Sequence, residues 1–223
     1  MDRVLDFRPL RDSIYSLGNV SLELMKKIHT VYIAGLFILI LGIGATWVIK
    51  KADQAHQTPP PIIKSVPDFQ FKTHDGYTFT MENLRNKITV LDFMFTSCTG
   101  PCPIMASNMS RLYEQYRSIP DVQFVSVTVD PDTDTEDVLA AYADANGVND
   151  DRWIFIRSDI KSVKELTRDG FMLFSDDLPA GHSVKFVLID DKGRIRQYYD
   201  GTDKASIAIL QAHLNLFLKN LDS

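Results

Sequence analysis

Short apolar runs alternate with stripes of side chains at helical spacing over most of the chain. Residues 88–95 form an apolar run rich in β-branched and aromatic residues, a composition typical of a buried strand. After Pro103, several residues recur at the spacing expected for one face of an amphipathic helix. The residues on this face are Ile104, Met105, Asn108, Met109, Leu112 and Tyr116. The pattern therefore predicts a buried strand, a turn and a helix, in this order.

Strands and helices continue to alternate along the rest of the chain. Strands are predicted at residues 122–129, 153–156, 184–189 and 195–199. Helices are predicted after Thr133, which fits a capping box with Glu136, then around Val163, and again near the C-terminus. A hairpin turn signal at residues 74–76 precedes all of these elements. The order indicates an α/β protein with a mixed central sheet, flanking helices and an added N-terminal hairpin.

The first part of the chain has a different pattern. Residues 1–27 are a short polar tail, and residues 28–50 contain an uncharged apolar run long enough to cross a bilayer as one helix. Residues 51–66 include three consecutive prolines, which favour a semi-rigid extended linker. The sequence thus predicts a tail, a transmembrane anchor, a Pro-rich linker and a globular domain at residues 67–223.

The residues around the apolar run indicate whether it is a retained anchor or a cleaved peptide, and in which kind of membrane it lies. A cleaved signal peptide has a shorter apolar core, so we expect a retained anchor. A mitochondrial transit peptide avoids acids, yet Asp2, Asp6, Asp12 and Glu23 precede the run, which favours a bacterial membrane protein. Lysines flank the run on both sides, so charge alone does not settle its orientation.

Composition and the two cysteines narrow the classes of function. The net charge of −5 argues against a general nucleic-acid-binding protein, and two cysteines are too few for a disulfide scaffold. Pro101 and Pro103 predict that Cys98 and Cys102 share a bent loop, with Cys102 outside helical dihedral angles. The N-terminus of the following helix favours thiolates, which attack disulfides and bind copper(I) or zinc. Inert core cysteines or one structural disulfide are the alternative.

The order of elements resembles the thioredoxin-like fold, and residues 90–93 and 100–102 resemble the strand and cysteine turn of thioredoxins. Thioredoxins have two residues between their cysteines, whereas three separate them here. With this spacing the chain resembles the Sco (SenC) family of copper-delivery proteins, from about residue 66 to the C-terminus. The matching segments are residues 95–103, 126–131, 181–183, 190–194 and 199–201.

This resemblance implies a metallochaperone tethered to the bacterial inner membrane, with its domain outside the cytoplasm. It implies one copper ion, copper(I) or copper(II), bound by Cys98, Cys102 and His182. The implied client is the copper A site of cytochrome c oxidase subunit II, with a copper donor protein and a thiol reductant as further partners. Gly181 departs from the family, since many members carry an acid there.

Several other positions stay open on sequence grounds. Asp92 is either a buried proton acceptor beneath the cysteines or a solvated edge residue. Asp130 either supports the metal site or only ends a strand. The apolar segment 171–174 packs under His182 or forms a docking patch for a client. Four methionines are expected to pack in the core rather than bind copper: Met94, Met105, Met109 and Met172.

The main alternative function is thiol–disulfide exchange, in which Cys98 attacks a client disulfide and Cys102 resolves it. The two functions are compatible, because reducing a client's cysteines prepares them for copper. A peroxiredoxin is disfavoured because its threonine-based peroxide pocket does not match this turn. A sensor coupled through the N-terminal tail is a further alternative. In an oxidising compartment the cysteines would need a reductant before binding metal.

Overall fold

The computed structural model describes residues 29, 32–33, 35–50 and 58–221. The chain divides into two compact units, Met1–Ala55 and His56–Ser223. In the first unit, residues 35–50 are helical and their apolar side chains are exposed. Within the described residues, no helix combines the length and the apolar character needed to cross a membrane. The predicted anchor lies partly outside these residues and stays a prediction, and the predicted tail lies wholly outside them.

In the second unit, the strands of residues 58–221 form one mixed sheet. The strands are β1 (Lys64–Ser65), β2 (Gln70–Thr73), β3 (Thr78–Thr80), β4 (Ile88–Met94), β5 (Val122–Thr128), β6 (Trp153–Arg157), β7 (Lys185–Ile189) and β8 (Arg194–Asp200). Their order in the sheet is β1-β8-β7-β4-β5-β6-β2-β3. Strands β4, β5 and β6 are parallel, and β7 pairs with β4 in antiparallel orientation. The mixed sheet and the N-terminal hairpin β2–β3 are therefore confirmed.

Helices cover both faces of this sheet. They are α1 (Cys102–Gln115), α2 (Glu136–Ala145), α3 (Ile160–Glu165) and α4 (Lys204–Leu221). Helices α1, α2 and α4 pack on the face that carries Val90 and Phe124, while α3 and the hairpin pack on the face that carries Leu91 and Val125. Because both faces are covered, every residue of β4 and β5 is buried, including the polar ones.

Two helix starts differ from the predictions. Helix α1 begins at Cys102, because Pro101 precedes it with helical dihedral angles (φ −74°, ψ −24°). The expectation that Cys102 is non-helical was wrong, since a proline in the first turn lacks only an N–H that has no helical acceptor. Helix α2 is capped by Thr135, whose side chain accepts from the Val138 amide at 3.4 Å, rather than by Thr133.

The end of the Pro-rich linker is attached to the sheet. The two residues of β1 pair with β8, and the Ile63 amide donates to the Ile195 carbonyl at 2.9 Å. Nε of Arg196 also donates to the Pro60 carbonyl at 2.8 Å. The sheet therefore begins before residue 67, the predicted first residue of the globular domain.

Candidate metal centre

Three predicted ligands come from three different parts of the fold. Cys98 lies in the loop between β4 and α1, Cys102 is the first residue of α1, and His182 ends the long loop before β7. Strand β7 runs antiparallel to β4, so its first residues lie beside the last residues of β4. This pairing brings the histidine loop next to the cysteine loop, although His182 and Cys102 are 80 residues apart in the sequence.

The three side chains converge on a small volume. The Nε2 atom of His182 lies 3.2 Å from the Cys102 sulfur and 3.9 Å from the Cys98 sulfur. One ligand atom of each residue lies within 4.8 Å of the others, and both cysteines are free thiols. Among the described residues, these three are the group of Cys, His, Asp or Glu side chains that lie close enough together to hold a metal ion. Cys102 and His182 are buried, whereas Cys98 is half-buried.

A backbone contact determines which nitrogen of His182 faces the sulfurs. Nδ1 lies 3.0 Å from the carbonyl oxygen of Phe93, and since a carbonyl only accepts, Nδ1 carries the proton. Nε2 is then left with a free lone pair toward Cys98 and Cys102. The ring of Phe95 packs edge-on against the imidazole, with centroids 5.3 Å apart. Burial lowers the pKa of His182, which keeps the ring neutral, as a metal ligand must be.

Burial also governs the thiol of Cys102. It raises the pKa of this thiol to about 12, although the Phe95 backbone opposes the shift, and Cys98 and Asp92 raise it further. The expectation of a thiolate stabilised by the helix N-terminus is therefore wrong for Cys102 in the metal-free protein. Desolvation of the sulfur outweighs the partial charge of the helix end. A bound metal ion must displace this proton, so binding and proton release are coupled.

The donor set fits a soft metal ion. Two sulfurs and one neutral imidazole nitrogen are ligands that copper(I) and zinc favour. Outside these three residues, the described part of the chain adds no carboxylate to the cluster. Because Cys98 is half-buried, the site keeps one side accessible to solvent.

Asp92 lies beneath the site rather than in it. It is 3% exposed on the central strand β4, so the alternative of a solvated edge residue is wrong. Burial raises the pKa of Asp92 to about 7, although a hydrogen bond with Ser126 works to lower this pKa. The Oδ1 atom of Asp92 has no hydrogen-bond partner. Its charge raises the pKa of Cys102, which puts the two groups within electrostatic reach.

Asp130 follows β5 and forms a turn. Its carbonyl accepts from the amides of Thr133 and Asp134, at 3.2 Å and 2.8 Å. That its side chain supports the metal site stays a prediction. The same turn contains a residue that the sequence reasoning missed, Asp134, whose carboxylate reaches the cysteine loop. The available signal was its place in the Asp-Pro turn that follows a buried strand.

The segment 171–174 divides between two environments. Phe171 is fully buried and packs edge-on against Phe93, whose carbonyl holds His182, with ring centroids 5.3 Å apart. Met172 and Phe174 are instead 50% and 56% exposed. Core packing was therefore predicted correctly for three methionines and wrongly for the exposed one. The three buried methionines are Met94, Met105 and Met109.

Fold and site together define a thioredoxin-like domain with a cysteine–cysteine–histidine cluster at one end of its sheet. The profile of the SCO1/SenC family matches residues 58–215, and the chain belongs to this family. A SCO1/SenC family lipoprotein from Bacillus anthracis is 31% identical and superimposes with a TM-score of 0.62, over 69% of this chain and 95% of that one.

Two further relatives extend the comparison. The SCO1 protein homolog of Bacillus subtilis is 26% identical over 170 residues, which cover 73% of this chain and 88% of the relative. Yeast Sco1, solved with copper bound, shares the fold with a TM-score of 0.56 at 20% identity, over 69% of this chain and 90% of that one.

Proposed function

We propose that this protein is a membrane-tethered copper metallochaperone that binds one copper ion through Cys98, Cys102 and His182. The observation that carries the proposal is the convergence of two sulfurs and an imidazole lone pair within 4.8 Å. Sco proteins from yeast, Bradyrhizobium japonicum and Arabidopsis thaliana were solved with copper bound, which supports copper as the cargo.

The charge of the cluster suits a cargo that is later released. Two thiolates and a neutral imidazole give a net charge of −1 with copper(I) and zero with copper(II). Three ligands also leave the ion under-coordinated compared with a closed tetrahedral site. Thiolates of the client approach beside the half-buried Cys98 and replace the three ligands one after another. The ion is therefore transferred without being released into water.

The client that fits this chemistry is the binuclear copper A site of cytochrome c oxidase subunit II. BsSco, whose structure is 23% identical to this chain, is a member of the Sco family of cytochrome c oxidase assembly proteins. A copper donor protein reloads the emptied cluster, and a thiol reductant is needed because an oxidising compartment converts the two free thiols to a disulfide that cannot bind the ion.

Tethering to the bacterial inner membrane, with the domain on the outer side, is part of the proposal. Residues 35–50 are helical, and apolar side chains such as Phe37, Leu39 and Trp47 are more than half exposed. A bilayer would cover this apolar surface. Fusing a reporter that is active only outside the cytoplasm to the C-terminus tests the topology.

Copper(I) binding by the reduced full-length protein, in competition with a chromophoric chelator, tests the function. We expect one copper ion per chain and an affinity that falls at least about tenfold in His182→Ala and in Cys98→Ser. As the matched control, His74→Ala changes a hairpin histidine and should leave the affinity unchanged. Affinity that is insensitive to both ligand variants would refute the copper site.

Thiol–disulfide exchange is the second candidate function. Cys98 is half-buried and Cys102 is buried, the arrangement expected of an attacking and a resolving cysteine. A disulfide switch was identified in the relative BsSco. Turnover of a model disulfide by the wild type, lost in Cys98→Ser but retained in His182→Ala, would favour this function over copper delivery.

A further inference from the structure

Each ligand of the cluster has its own structural support. Cys102 is fixed as the first residue of α1, and His182 is held by the Phe93 carbonyl. Cys98 belongs to no helix or strand and depends on the loop that starts at Phe95. The contacts of that loop therefore decide whether the Cys98 sulfur stays at the cluster.

One buried carboxylate holds the start of this loop. Asp134 is fully buried and accepts two hydrogen bonds from Thr96, which lies two residues before Cys98. The Thr96 amide lies 3.2 Å from Oδ2 and 3.4 Å from Oδ1, and the Thr96 hydroxyl lies 2.5 Å from Oδ1. A buried carboxylate bonded to both a backbone N–H and a hydroxyl fixes the position and direction of the chain at Thr96.

Asp134 is itself held rigidly. The Thr128 hydroxyl donates to its Oδ2 at 2.5 Å, from the end of β5. Its backbone amide donates to the Asp130 carbonyl at 2.8 Å, and its carbonyl accepts from Nε of Arg157 at 3.1 Å. Arg157 also donates to the Pro131 carbonyl at 2.7 Å, so the whole turn is tied to β6. The carboxylate thus connects the cysteine loop to β5, while the backbone of the same turn is held by β6.

We infer that Asp134 is a positioning residue for the metal cluster, which acts through Thr96 to hold the Cys98 sulfur within reach of the other two ligands. The inference rests on the proposed function, because it concerns the same three ligands. Without this connection the loop between β4 and α1 loses its only carboxylate contact among the described residues. Cys98 then leaves the ligand set more readily than Cys102 or His182.

The test compares variants of the reduced full-length protein, purified in mild detergent. Asp134→Asn replaces one acceptor oxygen, and Thr96→Val removes the hydroxyl donor with little change in shape. We expect each to weaken copper(I) binding about 10- to 100-fold, the range for residues that orient metal ligands. Thr96→Ser keeps the hydroxyl and should restore most of the affinity.

Thr89→Val provides the matched control for lost stability. Thr89 is a buried threonine near the start of β4, the strand that precedes the loop of Thr96, and its hydroxyl accepts from Gln123 at 2.8 Å, far along the strand from the cysteine loop. This variant should lower the thermal midpoint like Thr96→Val while keeping wild-type copper affinity. Equal losses of affinity in both variants would overturn the inference, because the effect would then be general destabilisation.

Two readouts separate positioning from folding. X-ray absorption of the copper(I) protein should show fewer sulfur ligands in Thr96→Val than in the wild type. In the metal-free protein, alkylation followed by peptide mass analysis should show faster modification of Cys98 and unchanged modification of Cys102. If Asp134→Asn fails to fold, these readouts on Thr96→Val decide the question.

The outcomes also distinguish this inference from the proposed function. If Cys98→Ser weakens copper binding while Thr96→Val and Asp134→Asn bind normally with two sulfurs, the positioning role is refuted and the copper site stands. If Cys98→Ser and His182→Ala both bind copper as the wild type does, the copper site itself is refuted. Faster alkylation of Cys98 in Thr96→Val would then still support the connection through Asp134.

Discussion

The Nδ1 atom of His182 lies 3.0 Å from the backbone carbonyl oxygen of Phe93, on the strand that leads into the cysteine loop. This contact fixes the tautomer of the ring and aims Nε2 at both sulfurs. Because the acceptor is a backbone atom of the central sheet, the hydrogen bond that orients the histidine is set by the fold and not by a side-chain acceptor.

The tautomer of His182 gives the first prediction. In the reduced, metal-free protein at pH 7, we expect a neutral ring with the proton on Nδ1, because burial lowers its pKa below the ordinary value of 6.5. Long-range proton–nitrogen correlation spectra of ¹⁵N-labelled protein distinguish the two ring nitrogens. A ring protonated on Nε2, or a doubly protonated ring at pH 7, would contradict the orientation described here.

Asp92 gives a prediction about stability and pH. The folded carboxyl keeps its proton up to pH of about 7, whereas the unfolded one loses it near 3.8. Between these values the folded state binds more protons, so its free energy of unfolding falls as the pH rises through this window. The shift corresponds to about 4 kcal/mol in total, at about 1.4 kcal/mol per pH unit.

Asp92→Asn removes this titration while keeping the shape of the side chain. We expect the variant to gain stability relative to the wild type as the pH rises from 5 to 7, with a constant difference above that. Urea unfolding of the reduced, metal-free protein at several pH values measures the effect. A pH-independent difference between the two proteins would show that Asp92 is ionised in the folded state.

Phe171 and Phe174 form a matched pair in one loop. Phe171 is fully buried against Phe93, so Phe171→Ala should cost about 3–5 kcal/mol of unfolding free energy. Phe174 is 56% exposed, and Phe174→Ala should change stability by less than about 0.5 kcal/mol. Similar losses in both variants would show that the exposed ring is also part of the core. Urea unfolding measures both.

Arg196 gives a prediction about the attached linker. Its guanidinium donates to the fully buried Asp190 at 2.8 Å and to the Pro60 carbonyl. Arg196→Met should lower the free energy of unfolding by about 2–3 kcal/mol, because it removes one of the two cations that pair with a buried carboxylate. It should also speed hydrogen exchange of the Ile63 amide, which bonds to β8. Arg85→Met, which breaks an exposed pair with Glu82, should cost under about 0.5 kcal/mol.

The pH dependence of the Arg196 effect has a definite sign. Burial works to raise the pKa of Asp190, but hydrogen bonds from Arg194 and Arg196 lower it overall. The ion pair therefore stabilises the fold above the ordinary carboxyl pKa of 3.8, and this contribution is lost as the pH falls through the folded value. The difference between wild type and Arg196→Met should accordingly shrink at low pH. A loss that is independent of pH would show that Arg196 acts only through packing.

The sequence by itself determined the order of strands and helices, the turn that holds both cysteines and the identity of the three candidate ligands. These features depend on local patterns, such as the apolar run before Cys98, or on the resemblance of short segments to a family. The mixed sheet followed as well, because strands that alternate with helices have few ways to pack.

Only the tertiary structure decided the state of the ligands and their supports. The buried thiol of Cys102 and the tautomer of His182 depend on groups that approach from other elements, and local sequence does not encode their desolvation. Asp134 contacts Thr96 across 38 residues, so no pattern within a short window distinguished it from Asp130. The antiparallel pairing of β7 with β4 creates the site, because only that long-range contact brings the histidine loop to the cysteines.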